Sequence, residues 1–347
     1  MVSTPVRALT YAQAVNESFH QEFERDPSVI LMGEDVAGGA GRDEFEDAWG
    51  GVFKLTGGLI AKYGPDRVRD TPISENGFMG AAVGAAATGL RPIADLMFVG
   101  FVGVCGDQIF NNMSKMHYMF GGKVNLPLTV ITSTGAGVGS AAQHSETLYS
   151  IFVHFPGLKC VAPSNPYNAK GLHTAAIRDN DPVIVFNNKL LMGGARGPGT
   201  GAGIHVPEDS YEFPIGKADR PREGTDVTLI GISYTTLQCL KAAEILEQKG
   251  FSAEVIDLLS LSPLDEDAIL SSVKKTRNVV IVDEDYPMCS MASELSALIA
   301  EQAFDFLDSP PIRLCAPHAS VPYSPVLEAE YIPSPEKIAQ SALSILE

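Results

Sequence analysis

The stretch TPISENGFMGAAVGAAATG, Thr71–Gly89, decides the fold of this 347-residue chain. Ser74 predicts an N-cap and Gly89 a C-cap, so the stretch predicts a helix with one carboxylate, Glu75, in its first turn. Three glycines at spacings of three and four leave one helix face bare, and each costs up to ~1 kcal/mol relative to alanine. Such a face favours close approach to a ligand or another helix. The alternative is a tightly packed internal helix with Glu75 as a solvated acid.

Composition excludes several classes of protein. Apolar residues make up 45% and charged residues 19% of the chain, and the length predicts two domains. The net charge is −17 and lysine and arginine form no cluster, so we expect no nucleic-acid partner. No apolar run reaches the ~18 residues that a membrane span needs, so we expect no membrane segment.

The cysteines and the opening segment predict a cytoplasmic location. The five cysteines are scattered and include no C-x-x-C pair, which favours reduced thiols over disulfides or a zinc site. The first residues do not place an apolar core behind a basic patch, so we expect no signal peptide.

Residues 1–190 are predicted to form an α/β domain. Helical patterns alternate there with short runs rich in valine, isoleucine and leucine, which favours a parallel sheet covered on both faces. The predicted strands are Val29–Met32, Arg91–Phe98, Leu126–Ser133, Leu158–Ala162 and Pro182–Phe186. A further helix is predicted from Asn165 towards Asp179.

Residues 191–225 are predicted to be a linker and residues 226–347 a second α/β domain. The linker contains the glycine-rich run Gly193–Gly203, which no helical pattern follows, so we reject a phosphate-binding loop. The second domain alternates strands and helices in the order Val227–Ile232, Thr235–Lys249, Ala253–Asp257, Asp265–Lys274, Val279–Asp283 and Ser290–Ala303.

Short blocks in a specific order run nearly from end to end. They are Met32–Val36, Thr71–Gly84, Gln143–Ser145, Pro156–Lys159, Ala169–Leu172, Ile177–Pro182 and Pro322–Pro325. Together they resemble the β subunit of thiamine-diphosphate-dependent 2-oxoacid dehydrogenase (E1) components. Within that family, Asp35–Gly41 and Asp47–Gly51 are most similar to the acetoin dehydrogenase branch. The resemblance implies an N-terminal pyrimidine-binding domain and a C-terminal transketolase-like α/β domain.

The resemblance gives Glu75 a chemical task. The matching glutamate hydrogen-bonds N1′ of the cofactor's aminopyrimidine and exchanges a proton there. The cofactor thus carries the difficult chemistry, and the protein supplies position and protons. Such a glutamate needs shielding from water, and we expect Ile73, Phe78 and Met79 to form an apolar collar beside it, with Ile73 also a candidate cofactor contact.

Three further residues follow from the same resemblance. His144 matches the histidine that manages protons during acyl transfer to the lipoyl arm, a task that suits imidazole. Phe101 lies where relatives carry an aromatic residue against the aminopyrimidine, although a core phenylalanine is the alternative. Glu34 opens a glycine-rich loop on the same side of the sheet and is a candidate cofactor contact, with solvation in a first turn as its alternative.

A potassium ion is also implied. Asp179 and Asp181, with the backbone carbonyls of Leu128 and Ala176, match positions that hold this ion in some relatives, and hard oxygen ligands suit it. The Asp-Asn-Asp-Pro sequence is also ordinary turn chemistry between a helix and a strand.

One motif of the superfamily is missing. Magnesium holds the diphosphate through a Gly-Asp-Gly motif followed by paired asparagines. Here Gly106–Gln108 is incomplete, Asn111 and Asn112 follow too soon and are expected on the same helix, and Asn187–Asn188 has no such motif at suitable spacing. We therefore expect an E1 α subunit to bind most of the Mg²⁺ and to complete the site in an α2β2 heterotetramer.

The resulting function is the β subunit of an E1 enzyme that cleaves acetoin and acetylates the lipoyl group of an E2 acyltransferase. The pyruvate or branched-chain 2-oxoacid enzyme is the alternative within the same family. Two other classes are a nucleotide-binding oxidoreductase, which lacks its Gly-x-Gly-x-x-Gly here, and a non-catalytic subunit that docks E2.

Overall fold

The computed structural model describes residues 7–38, 50–194, 197–199 and 204–347. Contacts divide the chain into two compact units. The first comprises Met1–Ser133 and Phe152–Ile215, and the second comprises Thr134–Ile151 and Gly216–Glu347. Parts of the acetoin-type blocks and of the glycine-rich run, residues 39–49, 195–196 and 200–203, lie outside the described residues. Residues 134–151, placed by the sequence in the first domain, thus group with the C-terminal residues.

The first unit is built on a sheet of mostly apolar, largely buried strands. Its strands are β1 (Val29–Gly33), β2 (Val68–Asp70), β3 (Arg91–Phe98), β4 (Thr129–Thr134), β5 (Lys159–Val161) and β6 (Val183–Asn188). They lie in the order β5-β6-β4-β3-β1-β2, and the pairs β1–β2, β1–β3, β3–β4 and β5–β6 are parallel. The predicted α/β fold is confirmed, and β3 has its predicted bounds.

Helices flank these strands. They are α1 (Tyr11–Arg25), α2 (Leu59–Tyr63), α3 (Glu75–Ala87), α4 (Val102–Asp107), α5 (Ser114–Met119), α6 (Tyr149–Val153), α7 (Pro166–Arg178) and α8 (Lys189–Met192). A π-helical stretch, Gln108–Met113, joins α4 to α5, and two short antiparallel strands, β7 (Gly193–Gly194) and β8 (Gly197–Pro198), follow α8. Capping boxes begin α1 at Thr10 and α7 at Asn165. No helix within the described ranges is both long and apolar enough to cross a bilayer.

The second unit has a five-stranded sheet of its own. Its strands are β9 (Asp219–Arg222), β10 (Val227–Gly231), β11 (Ala253–Asp257), β13 (Val279–Val282) and β14 (Ile312–Leu314), and a short strand, β12 (Ser260–Ser262), follows β11 in the chain. The sheet order is β14-β13-β10-β11-β9, with β9 antiparallel to β11. The helices are α9 (Tyr234–Gln248), α10 (Glu266–Thr276), α11 (Met291–Ala303), α12 (Pro325–Tyr331) and α13 (Pro335–Leu346). Strand β9 lies within the stretch predicted as linker.

A buried lysine fixes the chain beyond the first sheet. The side chain of Lys170 on α7 is fully buried. Its Nζ donates to Glu17 Oε1 at 2.6 Å and to the carbonyls of Pro207, Glu208 and Asp209 at 2.7–3.0 Å. The ammonium thus binds four acceptors at once and ties residues 207–209 to α7, while Arg7 and Gln21 also donate to Glu17 and to the carbonyls of Pro207 and Glu208.

We expect Lys170→Met to lower the free energy of unfolding by about 1–3 kcal/mol, because it removes buried, charge-assisted hydrogen bonds to residues 207–209, while Glu17 keeps its ion pair with Arg7. Urea denaturation of the purified chain measures this loss. Lys62→Met is the control, because Lys62 pairs with Glu24 in solvent and its loss should leave the midpoint unchanged. Equal midpoints for the two variants would show that Lys170 does not fix this segment.

Candidate active site

Glu75 lies in the first turn of α3 and is buried, with 8% of its surface exposed. Ser74 holds the N-cap position as predicted, but its side chain makes no capping hydrogen bond. Within the described residues the Glu75 carboxylate forms no hydrogen bond or ion pair. A buried acid without a partner at a helix N-terminus is favoured by the helix dipole and remains free to bind a polar ligand.

Two other carboxylates lie in the same region. Glu34 directly follows β1, and burial together with the charges of Asp35 and Glu75 raises its pKa. Asp95 on β3 is paired in register with Gly33. Burial raises the pKa of Asp95 to about 6. The hydrogen bond from the Met97 amide lowers this pKa, and the charge of Glu34 raises it further. The structure therefore brings the predicted residues Glu34 and Glu75 together and adds Asp95.

Sequence reasoning did not identify Asp95. The available signal was a single acid inside the apolar run of β3, where burial of a carboxylate requires a reason. Gly33 makes room for it, since a Cβ at Gly33 would lie 2.9 Å from Cβ of Asp95. Glu34 and Asp95 line a small cleft together with Thr132 and Asn187, with about 20 Å³ of internal space, room for about one water molecule.

The cleft contains polar atoms that need a ligand or water. Oγ1 of Thr132 and Nδ2 of Asn187 are buried without a hydrogen-bond partner among the described residues. The other end of the Asn187 amide accepts a hydrogen bond from Tyr11 at 2.7 Å. Orphaned buried donors and acceptors are rare in folded proteins, so the cleft fits a small polar group.

Phe101 lies near Glu75 through its neighbour Cys105. The Cys105 thiol donates to the Phe101 carbonyl at 3.6 Å. Burial, and to a smaller extent the charge of Glu75, raises the pKa of the Cys105 thiol to about 12. The Phe101 ring is half-buried and packs edge-on against Phe98, with ring centroids 5.6 Å apart. The structure therefore places Phe101 in the same region, while its contact with a cofactor stays a prediction.

The glycines of α3 have different neighbours. A Cβ on Gly77 would lie 2.7 Å from Oγ of Ser74, and one on Gly80 would lie 3.1 Å from Oε1 of Gln108 in the π-helical stretch. Gly84 faces open space and is exposed, as is Ala81. Two glycines are therefore explained within the chain, and the bare face that remains at Gly84 is open to solvent.

The predicted collar around Glu75 needs a correction. Phe78 and Met79 are buried as expected, but Ile73 is 79% exposed and does not shield Glu75 within this chain. The reason is its position: Ile73 precedes the helix, and the side chains that α3 buries follow it. Ile73 as a cofactor contact stays a prediction.

His144 belongs to the second unit. It ends a short 3₁₀ turn, Ala142–His144, in the loop that follows β4. Ala141, immediately before that turn, has φ 56° and ψ −166°, a region almost confined to glycine that costs about 1–3 kcal/mol. Strain of this size is typical of functional loops whose conformation is imposed from outside.

The residues implied for potassium lie together, with a cation already among them. Nζ of Lys159 is 2.7 Å from Asp179 Oδ2 and 3.0 Å from Asp181 Oδ2. Burial opposes the charge on Lys159, but the hydrogen bonds that it donates to both aspartates outweigh this effect and raise the pKa of Lys159. The carbonyl of Leu128 accepts from the Val183 amide. Both predicted carboxylates therefore bind an ammonium group in this structure.

The two asparagines near the incomplete magnesium motif lie on one helical stretch with Asp107, as predicted. Asn111 and Asn112 both reach back to the Asp107 carboxylate, at 2.8 and 3.3 Å, from the continuous helical stretch of α4 and the π-helix. No group of three or more histidine, cysteine, aspartate or glutamate side chains in the described part of the chain could hold a metal ion.

Comparison with known proteins identifies the architecture. Residues 7–194 match the family model for the pyrimidine binding domain of transketolase, and residues 216–338 match the model for the transketolase C-terminal domain. The subunit beta of acetoin:2,6-dichlorophenolindophenol oxidoreductase from Bacillus subtilis is 52% identical, with 98% of each chain covered. The chain belongs to the transketolase-like dehydrogenase β subunits.

Other relatives of this β subunit have related names. The Cupriavidus necator subunit beta of acetoin:2,6-dichlorophenolindophenol oxidoreductase is 50% identical, with 97% of each chain covered. The Bacillus subtilis 2-oxoisovalerate dehydrogenase subunit beta is 40% identical, covering 98% of this β subunit and 99% of that protein. A solved structure titled split gene transketolase, inactive beta4 tetramer, has a TM-score of 0.77 at 20% identity, covering 98% and 100% of the two chains.

Proposed function

We propose that this chain is the β subunit of a cytoplasmic α2β2 E1 enzyme that cleaves acetoin and acetylates the lipoyl group of an E2 acyltransferase. The observation that carries the proposal is Glu75, a buried carboxylate without a described partner, in a transketolase pyrimidine-binding domain. The identities of 52% and 50% to the two acetoin subunits, against 40% to the 2-oxoisovalerate subunit, favour acetoin.

The reaction divides acetoin between its carbonyl and carbinol carbons. The carbinol half leaves as acetaldehyde. The carbonyl half is oxidised to an acetyl thioester on one lipoyl sulfur, while the lipoyl disulfide is reduced and its other sulfur becomes a free thiol. Thiamine diphosphate, when bound, supplies the carbon nucleophile for this cleavage. Glu75 would hold and release a proton at N1′ of the pyrimidine, with Phe101, Ile73 and Glu34 lining the same end.

Support for a shared site comes from surfaces that this chain leaves uncovered. Ile73, two residues before Glu75, is 79% exposed, and Val104 on α4, a helix that contacts α3, is 60% exposed. Gly84 and Ala81 on α3 are exposed as well. An apolar surface next to a bare helix face fits close packing by another protein chain. We infer that the α subunit covers this surface and binds the diphosphate through Mg²⁺.

We also propose a potassium site, with a smaller set of ligands than the sequence implies. Lys159 neutralises the carboxylates of Asp179 and Asp181, so an ion there would rest mainly on backbone carbonyls, with Leu128 and Ala176 as donors. Carbonyl oxygens are suitable ligands for a hard monovalent cation.

The chain should be tested alone and together with an α subunit that carries a Gly-Asp-Gly motif. We expect acetoin-dependent reduction of dichlorophenolindophenol, with thiamine diphosphate and Mg²⁺, only when both chains are present. In a panel of acetoin, pyruvate and 3-methyl-2-oxobutanoate, acetoin should have the highest kcat/KM. Full activity of the lone chain would disprove the shared site, and a preference for either 2-oxoacid would assign the enzyme to that branch.

A further inference from the structure

The loop that carries His144 is held by two glutamates from the C-terminal part of the chain. We call residues Gly135–Ser145 the histidine loop. The Ala136 amide donates to Glu284 Oε1 at 2.6 Å. The Gly137 amide donates to Glu328 Oε1 at 2.6 Å, and the Gly139 amide lies 3.1 and 2.9 Å from the two Glu328 oxygens. One carboxylate therefore binds two alternate amides of the loop.

Helix α12 buries an acidic side chain, Glu328, and exposes two apolar ones. Glu328 is 1% exposed, while its neighbours Val326 and Leu327 are 75% and 58% exposed. An isolated surface helix would place the two apolar side chains inward and the acid outward. No ion pair within the described residues involves Glu328, so backbone amides balance its charge. Hydrogen bonds of this charge-assisted kind are stronger than neutral ones.

Several residues of the histidine loop have backbone conformations that surrounding contacts must fix. Gly135, Gly137 and Gly139 have φ angles of 91°, 100° and 67°, so three residues of the segment are conformationally permissive. Ala141 adopts a strained conformation directly before the turn that ends at His144. Such a conformation persists only when surrounding contacts determine it, and the glutamate contacts lie immediately upstream of it.

We propose that Glu328 is a positioning residue for His144. By binding the amides of Gly137 and Gly139, its carboxylate fixes the histidine loop and thereby the place at which His144 moves protons. The proposal rests on the proposed function for the role of His144. The anchoring itself can be measured without any reaction.

The test compares Glu328→Gln with Glu330→Gln in the complex with the α subunit. Glutamine replaces one acceptor oxygen by an NH₂ group that faces the Gly139 amide. We expect hydrogen exchange of residues 134–145, followed by mass spectrometry, to become faster by roughly tenfold or more. Acetylation of a lipoyl domain should slow by roughly tenfold, while dye reduction with acetoin stays unchanged, because that assay does not need lipoyl transfer.

Glu330→Gln is the matched control, because Glu330 lies on the same helix and pairs with Lys337 in solvent. It should change neither measurement. If Glu328→Gln does not assemble, Glu328→Asp keeps the charge on a shorter side chain and should give intermediate effects. Unchanged exchange in the Glu328 variants, or equal loss of both activities, would overturn the proposal. If the unmodified complex has no activity on acetoin, the proposed function fails while the exchange measurement still decides the anchoring.

Discussion

The substitution Glu75→Gln is expected to lower kcat for acetoin-dependent dye reduction by a factor of about 10²–10⁴, the range typical of lost general acid–base catalysis. Glutamine has nearly the same shape and can still form one hydrogen bond to a pyrimidine nitrogen. It cannot hold and release a proton, however. The affinity for thiamine diphosphate, measured by calorimetry on the α–β complex, should therefore change much less than kcat.

Glu22→Gln is a suitable control for this prediction. Glu22 is also a buried glutamate of the first unit, but it pairs with Arg178 between α1 and α7. Its replacement should lower thermal stability and leave kcat per folded complex unchanged. If Glu75→Gln retained the kcat of the unmodified complex, Glu75 would have no part in proton transfer.

Replacing His144 with alanine is expected to lower the rate of lipoyl-domain acetylation by about 10²–10⁴ and to leave dye reduction within a few-fold of the unmodified complex. The physical reason is that the dye accepts electrons without the thiol chemistry for which a proton donor is proposed. Stopped reactions with a purified lipoyl domain measure the first rate, and steady-state absorbance measures the second.

A second histidine provides the comparison. His154 is exposed and lies edge-on to Phe155, so His154→Ala should leave both rates unchanged. Equal loss of both rates in His144→Ala would place His144 in the cleavage of acetoin instead. No loss in either rate would remove it from the mechanism.

The sequence predicts the fold well wherever apolar periodicity is strong. Strands β3 and β11 have the bounds expected from their runs of valine, isoleucine and leucine. Strand β4 begins at Thr129, three residues later than predicted, although Leu126 and Leu128 are both buried. Strand β9, with the sequence DRPR, has no apolar pattern, because an edge strand is held by backbone hydrogen bonds that do not depend on its side chains.

The sequence predicts only those parts of the site that have a local sequence signal. Glu75 stands out locally, because a glycine-rich helix with one acid is unusual in composition. The role of Asp95 depends on the register that pairs it with Gly33 across two strands. The role of Glu328 depends on backbone amides far away in the chain, and no local sequence pattern indicates it. Contacts that form between distant segments leave no periodicity to read, so only a structure can identify them.

The anchoring of the histidine loop has a consequence for how the protein is made. Gly139 and Glu328 are 189 residues apart in the chain. At the usual ribosomal pace of about 5–20 residues per second, roughly 10–40 s pass between synthesis of the loop and synthesis of its anchor. During that interval a nascent chain can complete much of its first sheet, whereas the segment bearing His144 still lacks its acceptor. We therefore expect the histidine loop to become ordered late, although it is encoded in the first half of the message.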